Sequence, residues 1–437
     1  MSRGAARWLW LVLLAALLSA APAGWPQESP TLDSVLVEAL DRSAELYSLR
    51  AQIEAAEAMI APAGALPDPM LSVGLKNLPV DDGLRLDRDP MSAVEIMASQ
   101  EVPRPSKRRL RAEVQAREVT MLQARYQDKR LDTIKRVKQV YLDLQSLDVQ
   151  IAIAEQNRDL AQDMLAAAEA AYGTGRAMQQ DVFQAQVRLS QMVDMIISLQ
   201  GKRAAAQARL NRLLYRPAGQ AFPALPPPTL TSVPIQADVL APLAEQNSPR
   251  LAEMRARVGQ AEQSERLAAE GIKPDYRFDL SYMIRQPIEM SSMGGTDMWS
   301  ASVGINLPSV YRRHTVDQEV KATHAGRVSA EQEVEAMRNE IAAMIAEMVS
   351  EVITADQQLS LLDTGLLPQA EGALAASRAS YGTGRGEILD LLDNQVNLFN
   401  LQMRRVMLLA EREQNLAELE YLIGGSLIHR EGGSDAQ

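Results

Sequence analysis

The side chains in this sequence that could bind a metal or move a proton are few and scattered. His314, His324 and His429 have no carboxylate or second histidine at ligand spacing, and there is no cysteine, so they point to no metal centre. Met283, Met290, Met293 and Met298 cluster around IEMSSMGGTDM. Thioethers can hold soft monovalent copper, although a Met-rich loop is more commonly flexible packing. The stretch PVDDGLRLDRDP gathers Asp81, Asp82, Asp87 and Asp89 without a calcium-loop pattern and reads as a solvated turn. No nucleotide loop or catalytic triad is present, and isolated GTGR fragments are too short to cradle a phosphate. We therefore expect no enzyme, no catalytic residue and no cofactor. What stands out is a repeated five-residue break. YGTGR runs from Tyr172 to Arg176 and again from Tyr381 to Arg385, an offset of 209 residues, and each Tyr is followed nine positions later by a carboxylate, Asp181 or Asp390.

The elements that carry these breaks follow from the rest of the chain. At the start, Arg3 and Arg7 precede the apolar run WLWLVLLAALLSAA and the small residues Ala21, Pro22 and Ala23. This predicts a signal peptide over residues 1–23, and the lack of Cys excludes a lipid-anchored one. Removing Arg3 and Arg7 from the 45 basic residues leaves 43 against 56 acidic ones, a net charge of −13, which argues against nucleic acid as a partner. Aromatics are only 4% of the residues, which favours long helices over an ordinary compact core. No later segment approaches 18 consecutive apolar residues, so any membrane passage must be made by strands.

Self-comparison shows a duplication. The segment from Leu32 parallels the one from Ala237, with Leu46 matching Leu251 and Pro103 matching Pro308 at an offset of 205. The YGTGR offset of 209 means about four extra residues in the second half, close to one helical turn. Between the halves, Arg216 to Pro234 holds six prolines and reads as an extended linker. The expected organisation is a first repeat over 24–215, a linker over 216–234, a second repeat over 235–424 and a flexible tail over 425–437. Each repeat has a helix of about 30 residues, two alternating segments and a helical stretch of over 100 residues broken once by YGTGR.

The alternating segments have a period of two. Phe278, Leu280, Tyr282 and Ile284 share one face, against Arg277, Asp279, Ser281 and Arg285 on the other. Strands are expected at about 69–78, 92–102, 276–285 and 298–307, each the length of a tilted bilayer-crossing strand. Soluble hairpins show the same alternation, but the chain offers no compact domain for them to cover. Four strands cannot close a barrel, and lipid tolerates no open edge, so strands that span a membrane require several subunits. The helical stretches 106–215 and 309–423 are rods that supercoil against neighbours, with heptad pairs such as Leu189 to Ile196, Met192 to Leu199, Leu391 to Leu398 and Leu401 to Leu408.

Two glycines flanking a Thr permit a tight reversal between antiparallel rods. Together with the duplication and the paired strands, this resembles the TolC-type outer-membrane efflux proteins, from about Thr31 to Gly424. The resemblance implies a mainly α protein with a transmembrane β part, in which a homotrimer builds a twelve-stranded barrel in outer-membrane lipid and continues it as an α-helical barrel across the periplasm. The partners it implies are a periplasmic adaptor and an inner-membrane pump of the resistance-nodulation-division type. In YGTGRGEILDLLDNQ, Asp390 and Asp393 are similar to the family's constricting entrance. The resemblance makes Asp181, Tyr381 and Arg385 a closed-state latch, with Arg385 one position earlier than the family's arginine. It also places Gly173, Thr174, Gly175, Gly382, Thr383 and Gly384 beneath the adaptor. Three protomers would set about six carboxylates near one axis, raising some of their pKa values and attracting cations.

The pieces ALPDPMLSVGLKNLP and QEVPRPSKRRLR look like the branch that serves heavy-metal cation pumps. The expected function is passive conduction of substrate, metal cations foremost, from pump and adaptor to the exterior of a bacterial cell. Two rivals are the same channel serving drug or type I protein export, and a periplasmic coiled-coil scaffold with a soluble sheet.

Overall fold

The computed structural model describes residues 30–80, 84–233, 235–287, 295–307, 310–383 and 385–427. The expected signal peptide, Asp81, Asp82, Met290, Met293, Gly384 and His429 lie outside them. The described elements are α1 (Leu32–Arg42), α2 (Ala44–Gly64), β1 (Met70–Lys76), β2 (Ala93–Val102), α3 (Pro105–Gly173), α4 (Gln179–Leu213), α5 (Ala237–Asn247), α6 (Pro249–Glu270), β3 (Tyr276–Arg285), β4 (Met298–Ile305), α7 (Val310–Leu361), α8 (Leu367–Gly382) and α9 (Ile388–Ile423).

The strands form one antiparallel sheet in the order β1-β2-β3-β4, so the two hairpins join through β2 and β3. Register puts Val73, Ile96, Tyr282 and Trp299 in one cross-strand row, with Leu71, Ala98, Leu280 and Ala301 in the next row. One face is therefore apolar across all four strands, and it is exposed: Val73 by 68% and Trp299 by 73%. The opposite face is polar and internally bonded. Ser99 and Ser302 donate to Asp279, Lys76 to Glu95, and Ser281 pairs with Ser300.

The first helix of each repeat differs from the single rod of about 30 residues expected. It is split at Ser43 and at Ser248, both in extended conformation. Ser43 caps α2 by accepting from the Leu46 N–H, and Pro249 disfavours a helical Ser248 and opens α6 at its first position. The break lets α1 and α5 lie against the middle of the rods. There Val35 and Ala39 join Val137, Leu144 and Leu199 in one core, while Leu240 and Ala244 join Ile345, Val352 and Leu419 in its counterpart. Fully burying one such side chain contributes roughly 1.5–3 kcal/mol.

Proline keeps the linker out of helix, so its carbonyls must find other donors. Asn211 donates to Ala218 and Gln220, Arg203 to Phe222, and Gln145 to Pro226. Thr231 is held through its N–H and hydroxyl by Glu413, which Arg412 also engages. The linker is thereby fastened across both repeats.

The four extra residues of the second repeat have a structural location. A π-helical turn, Leu362–Leu366, separates α7 from α8. Buried positions are offset by 205 before it, as in Leu144 and Val349, and by 209 beyond it, as in Ala161 and Ala370. A four-residue insertion locally unwinds a heptad seam, and a wide turn bonded at i→i+5 takes up the excess residue without turning the buried stripe away. Both hairpins can then meet at one end.

At the opposite end of α9, Gly424 caps the helix with φ +76°, and a Cβ there would lie 2.2 Å from the Asn247 carbonyl oxygen. Neighbouring Gly425 has open space. Gly424→Ala should therefore lower stability by about 2 kcal/mol or more through strain and clash, whereas Gly425→Ala should change it little. Thermal melting of the two variants side by side checks this, and equal melting temperatures would contradict the packing.

Candidate functional site

The site is the end of the two hairpins, where α3 turns into α4 and α8 into α9. In the first copy, Arg176 N–H donates to the Ala171 carbonyl at 2.9 Å and Gly175 N–H to Tyr172 at 2.9 Å, with Gly175 at φ +72°. These are the two bonds of a Schellman cap, which close the orphan carbonyls of a helix C-terminus. Thr and Arg in the motif also have structural work here. The Thr174 hydroxyl donates to Ala170 and Ala171, and the Arg176 guanidinium to the Thr174 oxygen at 3.1 Å, a cation placed at the negative end of the helix. The second copy repeats the closure, with Arg385 N–H on Ser380 at 2.9 Å and the Thr383 hydroxyl on the same carbonyl at 3.0 Å.

The two tyrosines diverge. Tyr172 is half exposed, while Tyr381 turns into a small core with Met164, Ile388, Leu391 and Leu392. Its hydroxyl is buried and has no hydrogen-bond partner among the described residues. Burial, with the Asp181 charge adding to it, holds the Tyr381 hydroxyl above its usual pKa. Asp181 and Tyr381 line one cleft with Gly175, Met178, Gly386 and Glu387. The Asp181 carboxylate accepts from the Met178 N–H at 2.8 Å, stabilising the first turn of α4, rather than from Tyr381. The Arg385 side chain is exposed and makes no hydrogen bond or ion pair among the described residues.

Asp390 and Asp393 are both exposed in the first turns of α9. Negative charge is favoured there by the helix dipole. Asp393 shares a groove between α4 and α9 with Phe183, Val187, Arg188 and Leu389. Burial lowers the Arg188 pKa and the Asp393 charge opposes that shift, while the guanidinium itself donates to the Gln191 side chain at 2.8 Å. The sequence reading did not single out Arg188. Its signal was its place as the first cation along α4 after the turn. Gly173 and Gly382 have nothing within 4 Å of a would-be Cβ, which leaves the turns open to close approach. Among the described residues no cluster of three His, Cys, Asp or Glu could hold a metal ion, and no helix is long and apolar enough to cross a membrane.

Long helical hairpins, a sheet with one exposed apolar face and a tip furnished with turns and carboxylates define a channel-forming fold, with no assembled catalytic centre among the described residues. The chain belongs to the outer membrane efflux protein family, whose model matches residues 35–214 and 240–425. Its members are channels of the outer membrane that extend into the periplasm, not enzymes. No curated protein sequence is matched. Among solved structures, the outer-membrane channel OprN is similar with TM-score 0.76 at 17% identity, covering 91% of each chain. The outer membrane protein VceC from Vibrio cholerae gives TM-score 0.74 at 17% identity, covering 91% of this chain and 97% of that one. CusC gives 0.73 at 18%, with 91% and 93% covered.

Because the Tyr381 hydroxyl is buried without a partner, Tyr381→Phe should leave stability unchanged or raise it by about 1 kcal/mol, the cost of an unmet polar group. Denaturant unfolding reads this. A loss of comparable size would mean that the hydroxyl finds a partner from a second subunit. The raised pKa works in the other direction with pH: its contribution is present below the usual tyrosine pKa of about 10 and is lost as pH rises through the folded value.

Proposed function

We propose that three copies of this chain close their sheets into a twelve-stranded barrel and their hairpins into a periplasmic tunnel. The assembly conducts heavy-metal cations passively from an inner-membrane resistance-nodulation-division pump, through a periplasmic adaptor, to the exterior. The observation that carries this is the sheet itself. Its apolar face is continuous and exposed, and each chain brings two strand edges, β1 and β4, that have no partner among the described residues. In lipid those edges must pair with other chains, and family resemblance favours three over two or four. The similar protein CusC undergoes conformational changes that accompany folding and transmembrane channel formation, in keeping with assembly through the strands. Metal as cargo is supported by the likeness of ALPDPMLSVGLKNLP and QEVPRPSKRRLR to the heavy-metal branch.

Asp390 and Asp393 form the constriction in this reading, and Asp181, Tyr381 and Arg385 hold the closed tip. The turns at Gly173, Thr174, Gly175, Gly382, Thr383 and Gly384 receive the adaptor. A ring of carboxylates concentrates cations at the mouth and repels anions. Arg188 beside Asp393 tempers that field.

Planar-bilayer recording of the detergent-extracted oligomer tests the gate. Replacing both Asp390 and Asp393 with Ala should widen conductance and reduce cation preference, while Arg188→Gln should sharpen that preference. Currents identical in size and selectivity in all three proteins would defeat the assignment. Asp181→Ala, which removes both the helix cap and the charge beside Tyr381, should give a leaky tip. Cells carrying it should be more sensitive to bulky toxins, and unchanged resistance would count against the latch.

A further inference from the structure

The polar face of the sheet is ordered in rows by the strand register. Met70 lies in the row with Ser99, Met97 in the next with Ser281, and Met283 and Met298 in the third with Glu95. Successive rows are two residues apart along the strands, about 7 Å. Each of three adjacent rows thus holds a thioether, and the other positions of these rows are Ser, Gly, Asp and Glu. A fifth thioether stands at the end of the sheet, where Met91 places its Sδ 3.8 Å from Arg285 Nη1.

These methionines are not filling a core. Met70 is 68% exposed, Met298 45% and Met91 57%, while Met97 and Met283 are half-buried on the same face. The apolar residues that would face lipid occupy the alternate positions, Leu71, Val73, Leu280 and Val303 among them. Met283 and Met298 are directly opposite partners in the β3–β4 ladder. Side chains so paired have Cβ atoms about 5 Å apart, within reach of one shared ion for flexible thioethers.

We propose that this ladder is a path for soft monovalent metal cations of the Cu(I) and Ag(I) class, with Met283 and Met298 as its principal step. The proposal rests on the reading of the chain as a metal duct with the polar face as lumen, and it narrows the cargo. Neutral thioether sulfur selects soft monovalent ions, whereas sodium, magnesium and calcium prefer oxygen ligands and stay with water or carboxylates. Sites of two thioethers hold an ion weakly, and a series of weak sites admits an ion and also releases it. Carboxylates alone could not make this distinction, because hard cations compete for them.

The test is silver retention by the purified detergent-solubilised oligomer at equilibrium, measured by dialysis against a series of silver nitrate concentrations in chloride-free buffer. The comparison protein carries Met97→Leu, Met283→Leu and Met298→Leu, which keep volume and remove sulfur, while every other methionine stays in place. We expect wild type to retain silver and the triple variant to bind it about tenfold more weakly, with equal potassium conductance and no zinc retained by either. Met298→Leu alone, expected to give a smaller loss, serves if the triple variant does not assemble. Equal silver affinity in wild type and variant overturns the ladder, and so does a wild type that retains none. If wild type retains no silver yet still confers resistance to divalent cations on cells, the metal duct stands and only the soft-cation path falls.

Discussion

A strand edge exposes a row of N–H and C=O groups, and a bilayer offers them no partner. In this chain β1 and β4 end the sheet, so a single copy cannot satisfy its own backbone in lipid. Much of the rest follows from that constraint. The alternation puts Val73 and Trp299 on one face and Ser281 and Asp279 on the other, and because the apolar face is left exposed it suits a sheet wetted on one side and greased on the other. The helices inherit the direction of the strands. Arg104 and Lys107 at the start of α3 bind Asp275 just before β3, fixing sheet to rods through a largely buried cation. Burial pushes the Asp275 carboxyl up, but the Lys107 hydrogen bond and charge outweigh it and hold the group below its usual range.

Duplication gives the rods nearly equal lengths, and nearly equal is not enough for two tips that must meet. The π turn at Leu362–Leu366 reconciles them. It corrects the phase of a four-residue insertion and so keeps Ala370 in the buried stripe that Val349 and Val352 begin. The same hairpin geometry then brings α8 and α9 around Tyr381, whereas Tyr172 stays at the surface. The two copies of one motif are thus alike as backbone and unlike as chemistry.

That asymmetry separates what the motif does from what surrounds it. Thr174, Arg176 and Thr383 belong to the turn, since their side chains complete helix caps that the backbone needs, whereas the Arg385 side chain is left exposed. The carboxylates do not share one task. Asp181 spends its charge on the Met178 N–H, Asp393 lies in the groove with Arg188, and Asp390 stands in solvent, so of these three carboxylates only the two of the second copy are exposed.

The sequence by itself determined the fold class, the strand faces and the twice-used turn, because periodicity of two, periodicity near 3.6 and paired glycines are local properties. It marked Asp181, Tyr381, Asp390 and Asp393 only through the resemblance of the turns to a known family. It did not reveal that the first helix of each repeat breaks at Ser43 and Ser248, since helix propensity on either side hides a cap that is favourable only when α1 and α5 have a core to lie on. Nor did it show where the extra residues go, or that Arg188 stands beside Asp393. Those depend on which faces of distant helices meet, and tertiary packing alone decides that, because residues separated by about 200 positions interact only once the rods are side by side.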